Sequence, residues 1–343
     1  MLCNTRNMYG HLTGVQRYTS EILNRFSDSI DIVEPGKPLH GMKGHAWEQI
    51  VLPLRLNNRL LWSPSNTGPL SVEKQVISIM DVSPLDHPEW SSRKFSSWYQ
   101  FLLPRLINRV RGVLTISEFS RQRILHYCPM AESKVHVTLL AADRRFQPTD
   151  EESAAMAIER LGLPTSHYIV ALGSLEPRKN LKSLLLAWER IQSKLPDEVW
   201  LVLAGAKGKS LVFGDQSYDD LPPRVYLTGH VPDDLLPAFY SGAMASVYLS
   251  FYEGFGLPPL EAMACGTPVL ASNATSLPEV VGDAALTVDP FDVEAIGHNL
   301  IKIVEDADLR ADLKLRGLER SKLFNWDKTA QQTWQVLEQA ARS

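Results

Sequence analysis

The 343-residue chain is 44% hydrophobic and 22% charged, enough apolar material for the cores of two domains of ordinary size. Its net charge of −4 argues against a generic nucleic-acid binder, no run of about 18 apolar residues offers a membrane span, and the first residues lack the apolar core of a secretory signal. Cys3, Cys128 and Cys265 are too scattered for a disulfide framework or a CxxC metal site, so a cytoplasmic protein with reduced thiols is expected.

In chain order, MYGHLTGVQRY offers only Gly10 and Gly14 before the helical stretch YTSEILNRF. A GxGxxG dinucleotide fingerprint is therefore missing. Residues 1–150 carry 18 Lys and Arg against 13 Asp and Glu, a net of +5, while the remainder has 17 against 26, a net of −9. Much of the excess lies in SSRKFSSWYQFLLPRLINRVR, where Arg93, Lys94, Arg105, Arg109 and Arg111 interleave with aromatic and leucine residues. Two readings are open: an interfacial membrane helix, or an amphipathic helix packed on its own sheet, with Pro104 interrupting it.

A domain boundary is expected at FQPTDEES, where Pro148 breaks a strand and Thr149 and Glu152 form a capping box. Beyond it, short β-rich runs alternate with helical periodicity, the pattern of a doubly wound α/β domain. HYIVALGS reads as strand and turn, Asn180 as the cap of a helix through Leu181, Leu184, Leu185, Trp188 and Ile191. VWLVLAG, RVYLTGHVP, ASVYLS and TPVLAS supply further strands. GAKGKS is no phosphate loop, because Leu203 stands where such a loop needs glycine. At the end of the chain, Trp326, Ala330, Trp334 and Leu337 make one apolar stripe.

The densest chemistry lies in YEGFGLPPLEAMACG. A proline suits the first position of a helix and Gly266 its end, so a helix over PPLEAMAC is expected, with Glu261 in its first turn. Its free amides and positive dipole end follow Gly254 and Gly256, where a ligand can touch backbone, which suits a pyrophosphate. Glu253 and Glu261 can accept hydrogen bonds from hydroxyls at either end of the same ligand, as in a nucleotide sugar. The alternative is that the two acids merely complement the helix dipole.

EGFGLPPLEAMACGTPVLAS resembles the signature of retaining glycosyltransferases of family four, and the resemblance extends to LTGVQRYTSEIL, VSPLDHPEWSS, VLTISEFSRQRIL, ALGSLEPRKNL, LTGHVPDDLLPAFYSGA and FNWDKTAQQTWQVLEQ. Within that family the chain is most similar to bacterial mannosyltransferases that build O-antigen or exopolysaccharide. The resemblance implies an α/β GT-B fold. An acceptor-binding Rossmann-like domain (1–148) would be completed by a returning C-terminal helix (325–343). It would face a donor-binding domain (149–324) across a cleft.

It also implies roles. Glu253 would hold the donor sugar, Glu261 the ribose, and Lys179 with Arg178 the diphosphate. Amides of Gly254, Phe255, Gly256 and Leu257 would complete the phosphate cradle, and backbone at His230 and Val231 would border the base. Gly14 would let the first domain approach the ligand, and Arg17 and Asp81 would stand on the acceptor side. Two positions depart from the family pattern: Ser174 replaces a frequent arginine, and Met80 a frequent histidine. Asp81 either orients the acceptor hydroxyl or caps a strand end.

The implied reaction transfers a hexose, with mannose from GDP-mannose the expected donor, to a growing lipid-linked bacterial surface glycan with retained anomeric configuration. No cofactor and no divalent metal are expected, since amides, lysine and arginine would stabilise the departing diphosphate. No nucleic-acid partner is expected, and a peripheral contact with anionic membrane at the cytoplasmic face stays open. Two other classes remain: a non-catalytic subunit that binds nucleotide sugar or glycan, and a sugar-nucleotide epimerase.

Overall fold

In a computed structural model, residues 1–9, 14–39, 41–173, 176–205 and 221–342 are described. Among them twelve strands form two six-stranded sheets, one in each of two compact units. The first unit comprises Met1–Leu140 with Asn325–Ser343, and the second Ala141–Phe324. Residues 141–148 thus go with the second unit, where the Arg145 guanidinium meets Asp233 at 3.1 Å and the Phe146 ring lies 6.3 Å from that of Tyr240.

The first sheet contains β1 (Leu2–Asn4), β2 (Asp31–Val33), β3 (Leu61–Ser63), β4 (Gln75–Ile79), β5 (Gly112–Thr115) and β6 (Val135–Val137). They are all parallel, in the order β2-β1-β3-β4-β5-β6. The second contains β7 (Tyr168–Leu172), β8 (Trp200–Ala204), β9 (Val225–Gly229), β10 (Ala245–Tyr248), β11 (Val269–Ser272) and β12 (Leu286–Val288). Their order is β12-β11-β10-β7-β8-β9, again all parallel. Strands buried on both faces explain the near-continuous apolar runs IVAL and LVLA.

In the second unit, Trp188, Leu184 and Ile191 of helix Leu181–Ile191 pack with β7, β8 and β10 and with Ile296, Leu300 and Ile303 of helix Val293–Glu305. Asn180 stands at the expected start of the first of these helices but does not cap it. Its backbone is left-handed (φ 57°), and its buried amide donates to the Pro290 carbonyl at 2.7 Å, tying two loops together. The capping box at Thr149 and Glu152 is likewise replaced. Asp150 caps helix Glu151–Leu161 by accepting from the Ser153 amide at 2.8 Å, and Thr149 donates its own amide to Ser241 Oγ. No strand runs up to Pro148, since β6 ends at Val137.

Pro104 does not interrupt its helix, which runs unbroken over Arg93–Arg109. The carbonyl that loses its donor belongs to Gln100, an exposed residue to which water has access. Leu102, Leu103, Leu106 and Ile107 of this helix are fully buried against Ile77, Ile79 and Val113. The packed reading of the basic stretch therefore holds for its apolar face, while Phe95 and Phe101 remain 42% and 45% exposed.

The C-terminal helix, Trp326–Arg342, packs in the first unit against helix Gly14–Arg25 and strands β4 and β5. Trp326, Ala330 and Leu337 are buried, and Trp334 stacks on Phe26 with ring centres 4.6 Å apart. The stripe read from the sequence is therefore the face that completes the first unit's core.

Candidate active site

In a doubly wound sheet, ligands bind beyond the carboxyl ends of the strands where the chain order reverses. In the second sheet that point lies between β7 and β10. The segment after β7 brings Arg178 and Lys179, and the segment after β10 brings Glu253. Lys179 Nζ donates to Glu253 Oε1 at 2.6 Å and Arg178 to the same oxygen at 3.2 Å. Arg178 is held from behind by Glu176 at 2.8 Å.

Tyr248, the last residue of β10, completes the group. Its hydroxyl accepts from Lys179 Nζ at 2.5 Å and lies 3.2 Å from Glu253 Oε1, and the lysine stands over its ring 4.8 Å from the centre. Its position at the carboxyl end of the strand, five residues before Glu253, was the available signal in the sequence.

Burial alone would raise the Glu253 carboxyl, but the Lys179 and Arg178 cations beside it hold it below the ordinary glutamate range. Burial would lower the Lys179 ammonium, and the Glu253 carboxylate reverses this and raises it. Burial also pushes the Tyr248 phenol up, so it stays protonated. At neutral pH the site thus holds one carboxylate, two cations and a neutral hydroxyl. With the Glu176 carboxylate on Arg178 the formal charges of the group balance, so a bound anion would draw on the unused N–H groups of the two cations rather than on a net positive charge.

The helix whose start the sequence suggested as a phosphate seat is present, one residue earlier than expected. The helix spans Leu257–Ala264, with Gly256 as an N-cap that has no side chain to occupy the amides. The amides of Phe255, Gly256 and Leu257 donate to nothing among the described residues, and free N–H groups at a helix start attract an anion. Gly256 has φ +122°, and a Cβ there would stand 2.7 Å from Leu277 Cδ2, so only glycine fits. The turn is clamped by Ser276, whose hydroxyl lies 2.9 Å from the Glu253 carbonyl and 2.8 Å from that of Phe255. Thr275 Oγ1 accepts the Glu253 amide at 3.1 Å. Neither Ser276 nor Thr275 stood out in the sequence, because their contacts cross from the loop after β11.

Glu261 lies in the second turn rather than the first and is 5% exposed. Its charge is one cause, after burial, of the Cys265 thiol being pushed up to about 12. His230, just past β9, is exposed, and Val231 is buried. Ser174 lies outside the described residues.

Gly14, Arg17 and Asp81 belong to the first unit. Gly14 begins helix Gly14–Arg25 and is exposed, and Arg17 is half-buried three residues along the same helix. Asp81 follows β4, and its Oδ1 accepts the Ser83 amide at 2.9 Å, the contact that the capping alternative requires. Met80 is a packed residue, 6% exposed, with its amide on Asn66 Oδ1 at 2.6 Å.

The first sheet has its own reversal point, between β1 and β3. There a second buried carboxylate, Glu48, accepts from Asn4 at 2.7 Å and Thr67 at 3.0 Å, with the Arg6 guanidinium at 3.5 Å. Glu48 sits on a π-helical turn, Trp47–Val51, a wide turn that re-aims a side chain and that no periodicity signals.

Comparisons with known proteins bear on the family and the fold. Residues 157–320 match the domain described as "Glycosyl transferases group 1". The chain is 34% identical over 271 residues to O-antigen chain mannosyltransferase B of Escherichia coli, covering 77% of this chain and 70% of that one. It is 32% identical over 228 residues to the serotype-specific mannosyltransferase WbdA of Escherichia coli, spanning only 28% of that longer protein. Among solved structures, WaaG, a glycosyltransferase involved in lipopolysaccharide biosynthesis, superposes with a TM-score of 0.76 at 13% identity, over 98% of both chains. Anabaena Alr3699/HepE in complex with UDP-glucose superposes at 0.75 and 18% identity, over 98% of this chain and 99% of that one. The solved structures show the GT-B fold, and the relative at 34% identity, with the matched domain, establishes that the chain belongs to the group 1 glycosyl transferases.

Proposed function

We propose that the protein transfers a hexose, mannose from GDP-mannose as the expected donor, to a growing lipid-linked bacterial surface glycan with retention of configuration. The observation that carries this reading is the Glu253–Lys179–Arg178 group beside the three free amides at 255–257. The amides and the two cations suit a diphosphate, and the carboxylate suits sugar hydroxyls. The names of the relatives at 34% and 32% identity, both mannosyltransferases, support the choice of sugar.

In this reading the bond between the anomeric carbon and the diphosphate oxygen breaks with its electron pair leaving on oxygen. An acceptor hydroxyl forms the new bond from the same face and passes its proton to the leaving phosphate. The chain's groups act electrostatically, stabilising negative charge as it develops. No enzyme nucleophile and no divalent metal enter the scheme. The donor is a co-substrate and no cofactor is required.

The reading also includes peripheral membrane contact. No described helix is long and apolar enough to cross a membrane. The exposed rings of Phe95 and Phe101, with Arg105 over the latter at 4.1 Å, form an aromatic and basic face on helix Arg93–Arg109. The protein incubated with GDP-mannose, UDP-glucose and a lipid-linked acceptor should yield glycan product from GDP-mannose. Conversion of the donor without transfer would make it an epimerase, and binding without turnover a non-catalytic subunit.

A further inference from the structure

Strand β6 is an open edge of the first sheet, and a groove of about 390 Å³ runs along it. That volume lies within the range of small-molecule clefts, about 300–1,000 Å³. One wall comes from helix Glu118–Tyr127 through Glu118 and Arg121, the other from the C-terminal helix through Gln332 and Gln335, and the floor from His136 and Thr138. Gln332 and Gln335 stand three residues apart, so both amides address the groove from one helix face. Neither amide, nor the His136 imidazole, has a hydrogen-bond partner among the described residues.

The charge balance narrows the ligand. Arg121 is already matched by Glu118 at 3.0 Å and Glu132 at 3.6 Å. His136 is held below its ordinary value, first by burial and then by Arg121, and is neutral at pH 7. No unmatched cation remains in the groove to attract phosphate or a lipid headgroup. What remains are groups that both donate and accept, two carboxamides and a neutral imidazole, beside the half-buried side chain of Val137, with Val135 and Val336 buried behind them. An uncharged ligand with many hydroxyls on an apolar ring frame matches both kinds of surface. An added peptide strand fits less well, since β6 has three residues and offers few main-chain bonds for strand addition.

We propose that this groove is a second carbohydrate-binding site, which holds a neutral segment of the glycan at a place distinct from the β7–β10 site. It rests on the glycan-extending reading of the preceding subsection. Held there, an already built part of the polymer would raise the local concentration of its own end.

The test is saturation-transfer NMR and calorimetry with α-linked mannotetraose and maltotetraose on the full chain, in wild type, Glu253→Ala and Gln332→Ala/Gln335→Ala. At least one tetrasaccharide should bind wild type and Glu253→Ala alike. The double variant, with an unchanged melting temperature, should bind it at least tenfold more weakly. Equal affinity in wild type and double variant, or no binding of either sugar to wild type, overturns the proposal, as does preferential binding of an extended peptide at the groove. Failure of the mannosyl reading looks different: maltotetraose in place of mannotetraose, or no transfer from GDP-mannose while the groove still binds sugar.

Discussion

Two buried carboxylates occupy equivalent places in the two sheets, each beyond the strand ends where chain order reverses, yet they are held by opposite means. Glu48 is 0% exposed and takes its hydrogen bonds from the neutral groups of Asn4 and Thr67, with Arg6 at the longer distance of 3.5 Å. Glu253 is 8% exposed and faces two cations within 3.2 Å on a single oxygen, Oε1. Glu48 has Oε1 taken by two neutral donors and Oε2 by Arg6, so with both oxygens engaged it braces the fold around it. A carboxylate that shares a single oxygen with two cations leaves hydrogen-bonding capacity over for a ligand, and Lys179 has a third N–H to offer. The topology gives both sites the same address, and the partners separate their roles.

The contrast is sharpest in variants. Glu253→Gln should lower kcat/KM for transfer by about 10²–10³, the scale for loss of one transition-state contact. Glu48→Gln should leave a larger share of transfer, with its main effect on unfolding. If Glu48→Gln lost activity as heavily at unchanged stability, the division of roles would collapse.

Stability should show the reverse order. Breaking a buried pair by removing one partner costs about 3–5 kcal/mol, so Glu48→Ala should lower the unfolding free energy of the first unit, read from denaturant titration, by an amount on that scale. Lys179→Ala and Glu253→Ala destabilise the second unit through the same physics, whereas Lys179→Met/Glu253→Gln, which removes both charges, should recover much of the loss. A double variant no more stable than the singles would argue against charge burial as the cause.

The pH dependence follows from the signs of the shifts. Glu253 titrates below its ordinary value of 4.5 in the folded chain. Its contribution is therefore complete above that value and is lost as pH falls through the lower folded value. Lys179 is raised above 10.5, so its share persists up to that pH and is lost only as pH climbs further. Acid unfolding of the second unit followed below about pH 4.5 should flatten in Glu253→Gln relative to wild type. Parallel curves would exclude Glu253 as the titrating group.

The smallest expected effect is Tyr248→Phe, which deletes one hydroxyl and keeps the ring under the lysine. Loss of a hydrogen bond to a charged group is worth about 1.5–3 kcal/mol, and we expect this to appear mainly as a raised KM for the donor, since the ammonium loses one of its restraints. An unchanged KM with a lowered melting temperature would make Tyr248 a packing residue only.

What was legible from residues alone were features set by local chemistry. Runs of apolar residues marked buried parallel strands, a glycine that alone tolerates φ +122° marked the turn at Gly256, and prolines marked the start of the following helix. The terminal stripe around Trp326 and Leu337 was legible for the same reason, whereas the grouping of Glu253 with Lys179 and Arg178, 74 and 75 positions away, was implied only by the family resemblance. Partners that cross between distant segments were not. Asn180 gave up its capping role for the Pro290 carbonyl, 110 positions away, Asp150 displaced Thr149 at a helix start, and Pro104 was carried through a helix by its surroundings. Tyr248, Ser276 and Glu48 acquired their partners only when β10, β11 and a π-helical turn were brought against other loops. A sequence determines what each backbone segment tolerates and which side chains can ionise or hydrogen-bond. Which carboxylate meets two cations and which meets two neutral donors was decided by tertiary structure, because hydrogen bonding and charge pairing act over a few ångströms of space, whatever the separation along the chain.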